Sequence, residues 1–400
     1  MRTDFDAIIV GAGPAGTAAA FRLHQSGHRV LLVDKRPFPR VKPCGGGITI
    51  KALKLLPWSV APVLETATRR LRMSLTGGAT SRDTVFETGD PVCTFAVRTA
   101  FDAFNLEKVV AAGVTFEHAK GALEIAEDED CVRVTLGTHI VSAKYLVGAD
   151  GANSTVRRVT KMASAFRRGF AIEGVVDNAD VREPPIAEFR FGQVPNGYGW
   201  LFPKRDHVNA GIYTWDPTVS LAKDQLGSYV RQRLGTGAVS DIVGFPIGFG
   251  GASYIQDSNR VLLVGDAGGF AEPLLGEGIH NALKSGQAAA AAIDATEAGR
   301  SPSLRGAYLR AIEPIRKDLA TCERAKRLFY GRVHTVGYRT LTSAVVRTAM
   351  MRGFAAGMTL HEIAHPFPFS LLYVASPFFR GVPPVLPGHS RAGQASSDLT

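Results

Sequence analysis

A chain of 400 residues exceeds one simple core and predicts two domains with a terminal extension, and its 45% hydrophobic and 20% charged residues are those of an ordinary globular protein. A formal net charge of +10 favours acidic partners such as phosphates, nucleic acid or an anionic membrane face, unless it serves solubility alone. Four widely spaced cysteines without a C-x-x-C argue against a disulfide framework and a zinc site, and no apolar run is long enough to span a membrane. No signal-peptide h-region or cleavage site follows Met1, so a cytoplasmic location is expected.

The first predicted element is a buried parallel strand, Ala7-Ile8-Ile9-Val10. Gly11-Ala12-Gly13-Pro14-Ala15-Gly16 follows it and fits G-x-G-x-x-G. Thr17 to Gln25 has helical spacing and stops at Ser26-Gly27; Arg29 to Val33 is a second strand ending at Asp34. This strand–turn–helix–strand unit binds a dinucleotide. Gly11 permits the turn, Gly13 admits the pyrophosphate, Gly16 lets helix and strand pack, and Asp34 takes the ribose hydroxyls. Lys35 to Gly47 is rich in Pro and Gly and reads as a loop, with Cys44 at its mouth and three glycines behind it.

Further along, Leu71–Leu75 and Val92–Val97 read as strands, and Arg98 opens a helix running to about Ala112. Val114–His118, Leu123–Ala126, Val132–Leu136 and His139–Ala143 are expected to form a small antiparallel meander. Tyr145-Leu146-Val147-Gly148-Ala149-Asp150-Gly151 is another buried strand, followed by a helix from Ser154 to Val159. Alternating apolar patterns over residues 167–250 predict an antiparallel sheet, hence a second domain. Arg260 to Val264 is a strand ending in Gly265-Asp266, and Pro273 to Ile279 leads into a helix from Asn281 to Ala298. Residues 305–352 hold eleven Lys/Arg against three acids in a mostly helical pattern, residues 354–379 are apolar and aromatic, and 384–400 read as a disordered tail.

The fold expected is α/β: a discontinuous Rossmann-like unit with an inserted antiparallel-sheet domain and a helical C-terminal region. Its boundaries are 1–70, 98–165 and 256–300 for the nucleotide unit, 71–97 and 166–255 for the substrate sheet, and 301–383 for the helices. Three strand ends share one logic, glycine and acid before a helix: Gly11–Gly16 with Asp34, Gly148–Gly151, and Gly265-Asp266 with Gly276–Ile279. They suit a long cofactor, FAD rather than NAD, with Asp266 near the ribityl or pyrophosphate and the 276–279 backbone near the ring system.

The glycine-rich N-terminus, Gly-Ala-Asp-Gly and Val-Gly-Asp-Ala together resemble the flavoprotein hydroxylase class with its para-hydroxybenzoate hydroxylase-type fold. Within it, Lys42-Pro43-Cys44-Gly45-Gly46-Gly47 and Pro195-Asn196-Gly197-Tyr198-Gly199-Trp200-Leu201-Phe202-Pro203-Lys204 resemble the geranylgeranyl reductase family, the second matching P-x-x-Y-x-W-x-F-P-K at every defined position. Gly276-Glu277-Gly278-Ile279 is similar to the family's segment over the flavin, and the likeness covers roughly residues 5–330. The resemblance implies FAD-dependent reduction of prenyl double bonds, with NAD(P)H or ferredoxin as electron donor. The substrate implied is a prenyl-chain lipid or prenyl diphosphate.

The site residues that follow are Cys44 beside the flavin as proton donor, a job a water could also do, and Tyr198 and Trp200, at i and i+2 on one side of a strand, suited to wall an apolar tunnel. Phe202-Pro203-Lys204 is expected to turn that strand out to solvent. Cofactor contacts are expected from Gly11, Gly13, Pro14, Ala15, Gly16, Asp34, Lys35, Cys44, Gly45, Gly46, Arg98, Asp150, Asp266, Gly276, Gly278 and Ile279, with Arg98 at the phosphate or ribityl chain. No metal site is expected. The basic region 305–352 and the aromatic stretch behind it form either a peripheral membrane contact or a helical cap. Rival readings are an FAD monooxygenase, a flavin halogenase and a non-catalytic flavin-bound membrane-surface protein; nucleic-acid binding lacks a recognition motif.

Overall fold

The computed structural model describes residues 3–76, 82–119, 123–162, 165–330, 338–339 and 342–365. The expected tail, and the apolar stretch beyond residue 365, lie outside the described residues.

Strand β1 (Phe5–Val10) is the centre of the first sheet because its Ala7-Ile8-Ile9-Val10 run is buried on both faces. Helix α1 (Pro14–Gln25) follows the glycine turn and returns the chain to β2 (Val30–Asp34), parallel to β1 with Val10 opposite Val33. On the other side β1 pairs in parallel with β11 (His139–Gly148), which pairs in turn with β17 (Val261–Leu263). Val10, Gly148 and Leu263 therefore end level, and the three strand ends predicted to converge do converge.

The predicted meander is corrected in two places. Strand β8 (Thr115–His118), reached through helix α3 (Arg98–Ala111), pairs in parallel with β2 and so extends the nucleotide-binding sheet. His139–Ala143 and Tyr145–Gly148 are one ten-residue strand, β11, whose first half pairs antiparallel with β10 (Val132–Leu136), next to β9 (Leu123–Glu127). Helix α6 (Ile279–Glu297) packs its small residues on α1; a Cβ on Gly286 would stand 2.2 Å from Ala15 O.

The second sheet has seven strands. Its order is β16 (Ser240–Phe249), β12 (Arg167–Asp177), β15 (His207–Thr214), β14 (Gly197–Pro203), β13 (Ala187–Phe191), β5 (Arg70–Leu75) and β6 (Arg82–Glu87). One face packs Ile172, Leu201, Ala210 and Ile212 on helix α5 (Lys223–Leu234) through Leu226, Tyr229 and Val230. The other face carries Phe189, Phe191, Tyr198, Trp200, Phe202 and Tyr213 toward the first domain. The alternation required by the pleat thus divides a structural face from an aromatic one. Val92–Val97 leaves this sheet: β7 (Cys93–Phe95) lies between β3 (Gly47–Thr49) and β4 (Thr66–Thr68) in a small sheet of three strands.

Helices α7 (Leu304–Ala311), α8 (Glu313–Tyr330), α9 (Ala344–Ala355) and α10 (Leu360–Ala364) make the C-terminal region, in chain order after α2 (Ile50–Leu53), α4 (Thr155–Thr160) and the others already given. Phe329 and Tyr330 of α8 stack on Phe191 at 5.7 and 5.9 Å, so this helix closes over the aromatic face. Among the described residues no helix is long and apolar enough to cross a membrane.

Candidate active site

The nucleotide end is built from backbone. Gly11 has φ +106°, and a Cβ there would meet Ala149 O at 2.4 Å, so only glycine lets the turn approach β11. A Cβ on Gly16 would stand 1.8 Å from Gly11 O, which fixes α1 against the turn. Gly13 differs, since its Cβ would meet nothing nearer than Arg40 Nη2 at 3.5 Å. Open space therefore lies in front of Gly13 at the start of α1, whose N-terminus has no side-chain cap. The unpaired N–H groups and positive dipole end of α1 are what a pyrophosphate needs. The start of α6 is similar: Gly278 has no side-chain cap and lies beside Asp266, where its Cβ would be 3.1 Å from Oδ1. Pro14 and Ala15 are buried in the first turn of α1, and Gly276 has φ +71°.

Asp34 ends β2 and is buried, its Oδ2 accepting from Ala12 N–H at 2.9 Å and its Oδ1 from Arg36 N–H at 3.0 Å. Lys35 beside it is exposed, and its carbonyl accepts from His118. Arg40, which sequence reading left in the loop, reaches the same place: its Nε is 3.7 Å from Asp34 and its Nη1 3.2 Å from Asp102. Arg98 is clasped by Asp102 through two bonds of 2.9 Å and also faces the Cys44 thiol. Asp102 therefore holds two arginines along the path from Gly13 to Cys44. Asp150 lies against the Gly11 turn; its Oδ2 accepts from Thr155 and Val156 N–H in the first turn of α4, and its Oδ1 is buried without a partner among the described residues. Burial raises the Asp266 carboxyl above the usual range, opposed by the charges of Lys42 and Arg98. These donors, the uncapped helix starts and the space at Gly13 fit FAD.

The reacting end joins the two motifs. Cys44 packs with Ile48 and Ile279 in one apolar cluster, and its Sγ accepts from Gly46 N–H at 3.4 Å. Gly45 lies on the aromatic face: a Cβ there would be 2.8 Å from the Phe202 ring and 3.0 Å from Trp200 Nε1. Lys204 does not turn outward as expected. It is buried, and its Nζ donates to Gly45 O at 2.8 Å and Ala96 O at 3.2 Å. Burial pushes its pKa down to about 8. It stays inside because two carbonyls from distant parts of the chain take its ammonium.

Tyr198 and Trp200 stand on the same face with ring centroids 6.2 Å apart, and both are buried. The Tyr198 hydroxyl donates to Leu275 O and Trp200 Nε1 donates to Asn209 Oδ1 at 2.8 Å. Tyr330 donates to Leu274 O at 2.7 Å and Tyr213 to Pro273 O at 3.2 Å. Three tyrosines thus hold the carbonyls of residues 273–275, while the Glu272 carboxylate takes the N–H groups of Leu274, Leu275 and Glu277. The segment leading to Gly276–Ile279 is fixed from both sides. Burial pushes Glu272 up to about 7, whereas Lys51, 2.7 Å away, holds Glu277 below the usual range against its burial.

Glu173 was also missed from the sequence. It is a buried carboxylate on the aromatic face, its Oε1 accepting from Cys44 N–H at 2.8 Å, with Lys42, Lys204 and Asn209 facing it. Burial raises its pKa. The signal was a charge at an inward position of the alternating run Phe170–Val175.

A family model described as an FAD binding domain matches residues 4–320. The class defined by fold and site is therefore that of an FAD-dependent oxidoreductase. Residue by residue, the chain is 31% identical to an uncharacterized protein of Methanosarcina barkeri, covering 93% of this chain and 94% of that one. It is 33% identical to the menaquinone reductase of Mycobacterium tuberculosis (75% and 79%) and 30% identical to the geranylgeranyl diphosphate reductase of Rhodobacter capsulatus (75% and 78%). A crystal structure of a geranylgeranyl bacteriochlorophyll reductase-like protein from Thermoplasma acidophilum superposes with a TM-score of 0.75 at 22% identity, covering 90% of this chain and 97% of that one. The chain belongs to the geranylgeranyl reductase family.

Proposed function

We propose that this protein is an FAD-dependent reductase that saturates double bonds of a polyprenyl chain, with Cys44, Tyr198 and Trp200 at the reacting end. The observation that carries the reading is the contact between its two distant motifs, the Lys204 bond to Gly45 O with Gly45 laid on Trp200 and Phe202. The relatives' names support the substrate class, since geranylgeranyl diphosphate and menaquinone both carry a polyprenyl chain.

Reduced FAD, when bound, supplies a hydride. An unactivated trisubstituted alkene accepts it poorly, because a free carbanion or carbocation in an apolar tunnel is very costly; an acid must protonate the other carbon. Cys44 is that acid. Its Sγ is positioned by Gly46 N–H and by the facing Arg98, and its backbone is held by Glu173. Tyr198 and Trp200 have their polar atoms bonded to the protein, which leaves ring faces for an apolar chain. Gly11, Gly13, Pro14, Ala15 and Gly16 would hold the pyrophosphate, with Arg40 beside them. Asp34 and Lys35 would hold the adenosine ribose, Asp266 the ribityl chain, and Gly45, Gly46, Gly276, Gly278 and Ile279 the ring system. Arg98 acts through Asp102 and Cys44, and Asp150 holds the start of α4. NAD(P)H or ferredoxin would supply the electrons. Basic residues of 305–352 rest peripherally on an anionic membrane to reach lipid substrates.

The test is anaerobic. The bound flavin is reduced with dithionite, geranylgeranyl diphosphate or detergent-dispersed menaquinone is added, and flavin reoxidation is followed together with product mass. Reoxidation with two hydrogens gained per double bond is expected. A flavin that stays reduced until oxygen enters, with no mass change for either lipid, overturns the reading and favours a monooxygenase.

A further inference from the structure

The pleat of β12 sends Ile172 to the face covered by α5 and Ala171 and Glu173 to the aromatic face. Glu173 therefore puts a carboxyl where an apolar side chain would pack. Across the sheet it stands opposite Gly211, which stands opposite Trp200. A Cβ on Gly211 would be 2.1 Å from the Trp200 ring, so the indole lies over the glycine between the two residues. The register of β12 with β16 shifts between Glu173 and Val175, a bulge of the kind that re-aims a side chain. Strand order and bulge together bring the carboxyl to the reacting end.

Its two oxygens are used differently. Oε1 accepts from Cys44 N–H at 2.8 Å, while Oε2 is buried with no hydrogen-bond partner among the described residues. Glu173 as a whole is only 7% exposed. A bare carboxylate oxygen inside a protein is costly, and a carboxyl so placed holds a proton more tightly than in water. Burial raises its pKa, while Cys44 N–H, Asn209, Lys42 and Lys204 favour the charged form. Neither lysine takes it as an ion-pair partner. Lys204 Nζ donates to Gly45 O and Ala96 O, and Lys42 Nζ lies 3.5 Å from Pro43 O and 5.1 Å from the centre of the Phe245 ring. A role as counter-ion alone would leave the unpartnered Oε2 unexplained. The remaining charge at the thiol is Arg98, which faces Cys44 from α3.

On the reductase reading, Cys44 gives up one proton for each double bond reduced. The thiolate left behind must be protonated again before the next, in a site lined by apolar side chains. Cys44 Sγ belongs to the same residue as the nitrogen that Glu173 holds. We propose that Glu173 is the acid that reloads Cys44. The O–H bond at Oε2 breaks as the S–H bond forms, leaving a carboxylate and a neutral thiol, and the carboxylate then takes a proton from water. No electrons are transferred in this step. The reloading step rests on the reductase reading, whereas the coupling of carboxyl and thiol does not, so the two are tested separately.

The first measurement needs no turnover. FAD-loaded protein is alkylated with iodoacetamide across pH 5–10, and modification of the Cys44 peptide is followed by mass. Wild type should show two steps, because ionisation of Glu173 opposes formation of the thiolate beside it. Glu173→Gln, which keeps an acceptor for Cys44 N–H and is checked by flavin occupancy, should show one step at lower pH. One step in wild type, or the same profile in both proteins, overturns the pair. The second measurement compares dithionite-driven turnover of geranylgeranyl diphosphate with single-turnover flavin reoxidation. In Glu173→Gln the steady-state rate should fall at least about tenfold further than the single-turnover rate, and Glu173→Asp should recover part of that loss. Equal losses in both rates overturn the reloading step. A two-step profile in a wild-type protein that reduces no prenyl substrate overturns the reductase reading and leaves the pair standing.

Discussion

Replacing Lys204 by methionine should separate stability from catalysis. Lys204 is buried with its Nζ between Gly45 O and Ala96 O and 5.0 Å from the centre of the Phe95 ring. Its pKa of about 8 in the fold compares with about 10.4 in an unfolded chain, so holding the charge inside costs about 3 kcal/mol at neutral pH. Methionine removes that cost and keeps most of the packing, but leaves two carbonyls without their donor, at about 1–3 kcal/mol each. The terms nearly cancel, and the variant should unfold within about 2 kcal/mol of wild type near pH 7. The sign with pH is fixed by the lowered value. Below about 8 both folded and unfolded chains keep the proton and the cost is fully present. As pH rises from 8 toward 10.4 the fold releases the proton first, and wild type should gain about 2 kcal/mol relative to the variant. Denaturant midpoints for both proteins across this range measure the gain, and flavin-coupled turnover reports the loop freed at Gly45. A difference that stays flat with pH refutes the buried ammonium. Full turnover in Lys204→Met refutes the role of the Lys204–Gly45 contact.

Gly13→Val should fold but lose FAD, because its Cβ enters the open space in front of α1 with Arg40 Nη2 at 3.5 Å as its one neighbour; absorbance of the purified protein checks this, and full flavin occupancy refutes the nucleotide site. Gly16→Ala should instead lose folded yield, since its Cβ would lie 1.8 Å from Gly11 O. Cys44→Ala should retain FAD, because the backbone bond to Glu173 survives, and should lose alkene reduction by about 10²-fold or more in single-turnover reoxidation; unchanged rates remove Cys44 as the acid. Glu272→Gln should flatten the stability profile between about pH 4 and 7: a carboxyl raised to about 7 by burial stabilises the fold below its unfolded value of about 4.3, and that stabilisation is lost as pH rises through 7. An unchanged slope in thermal midpoints counts against it.

The β1–α1–β2 unit was legible because each signal is local: an apolar run, spaced glycines, and an acid at the end of the next strand. The strand Thr115–His118 was not. Its Phe116-Glu117 alternation resembles a half-exposed hairpin strand, and only the edge of β2 shows that it continues the parallel sheet. Lys144 interrupts the apolar pattern of Ala143 and Tyr145, so one strand read as two. Lys204 follows Phe-Pro and reads as an exit to solvent, yet partners 159 and 108 residues away keep it inside. Arg40 sat in a stretch whose prolines exclude regular structure, and loop composition says nothing about where a long side chain reaches.

The C-terminal region bears on what the paired motifs can specify alone. Tyr198 belongs to the strand motif and holds Leu275 O, but Leu274 O is held by Tyr330, the last residue of α8. The same helix places Phe329 and Tyr330 on Phe191 of the aromatic face. One wall of the proposed tunnel is therefore made by residues past the end of the matched family model at residue 320. On the proposed reading, the motif residues would act at the cofactor and the reacting carbon, whatever chain lies beyond. The length and shape of that chain meet α8 and the helices packed around it. A shared reaction with divergent substrates follows from this division. It also explains why the Cys44 and Tyr198–Lys204 motifs point to a family and leave the lipid unnamed.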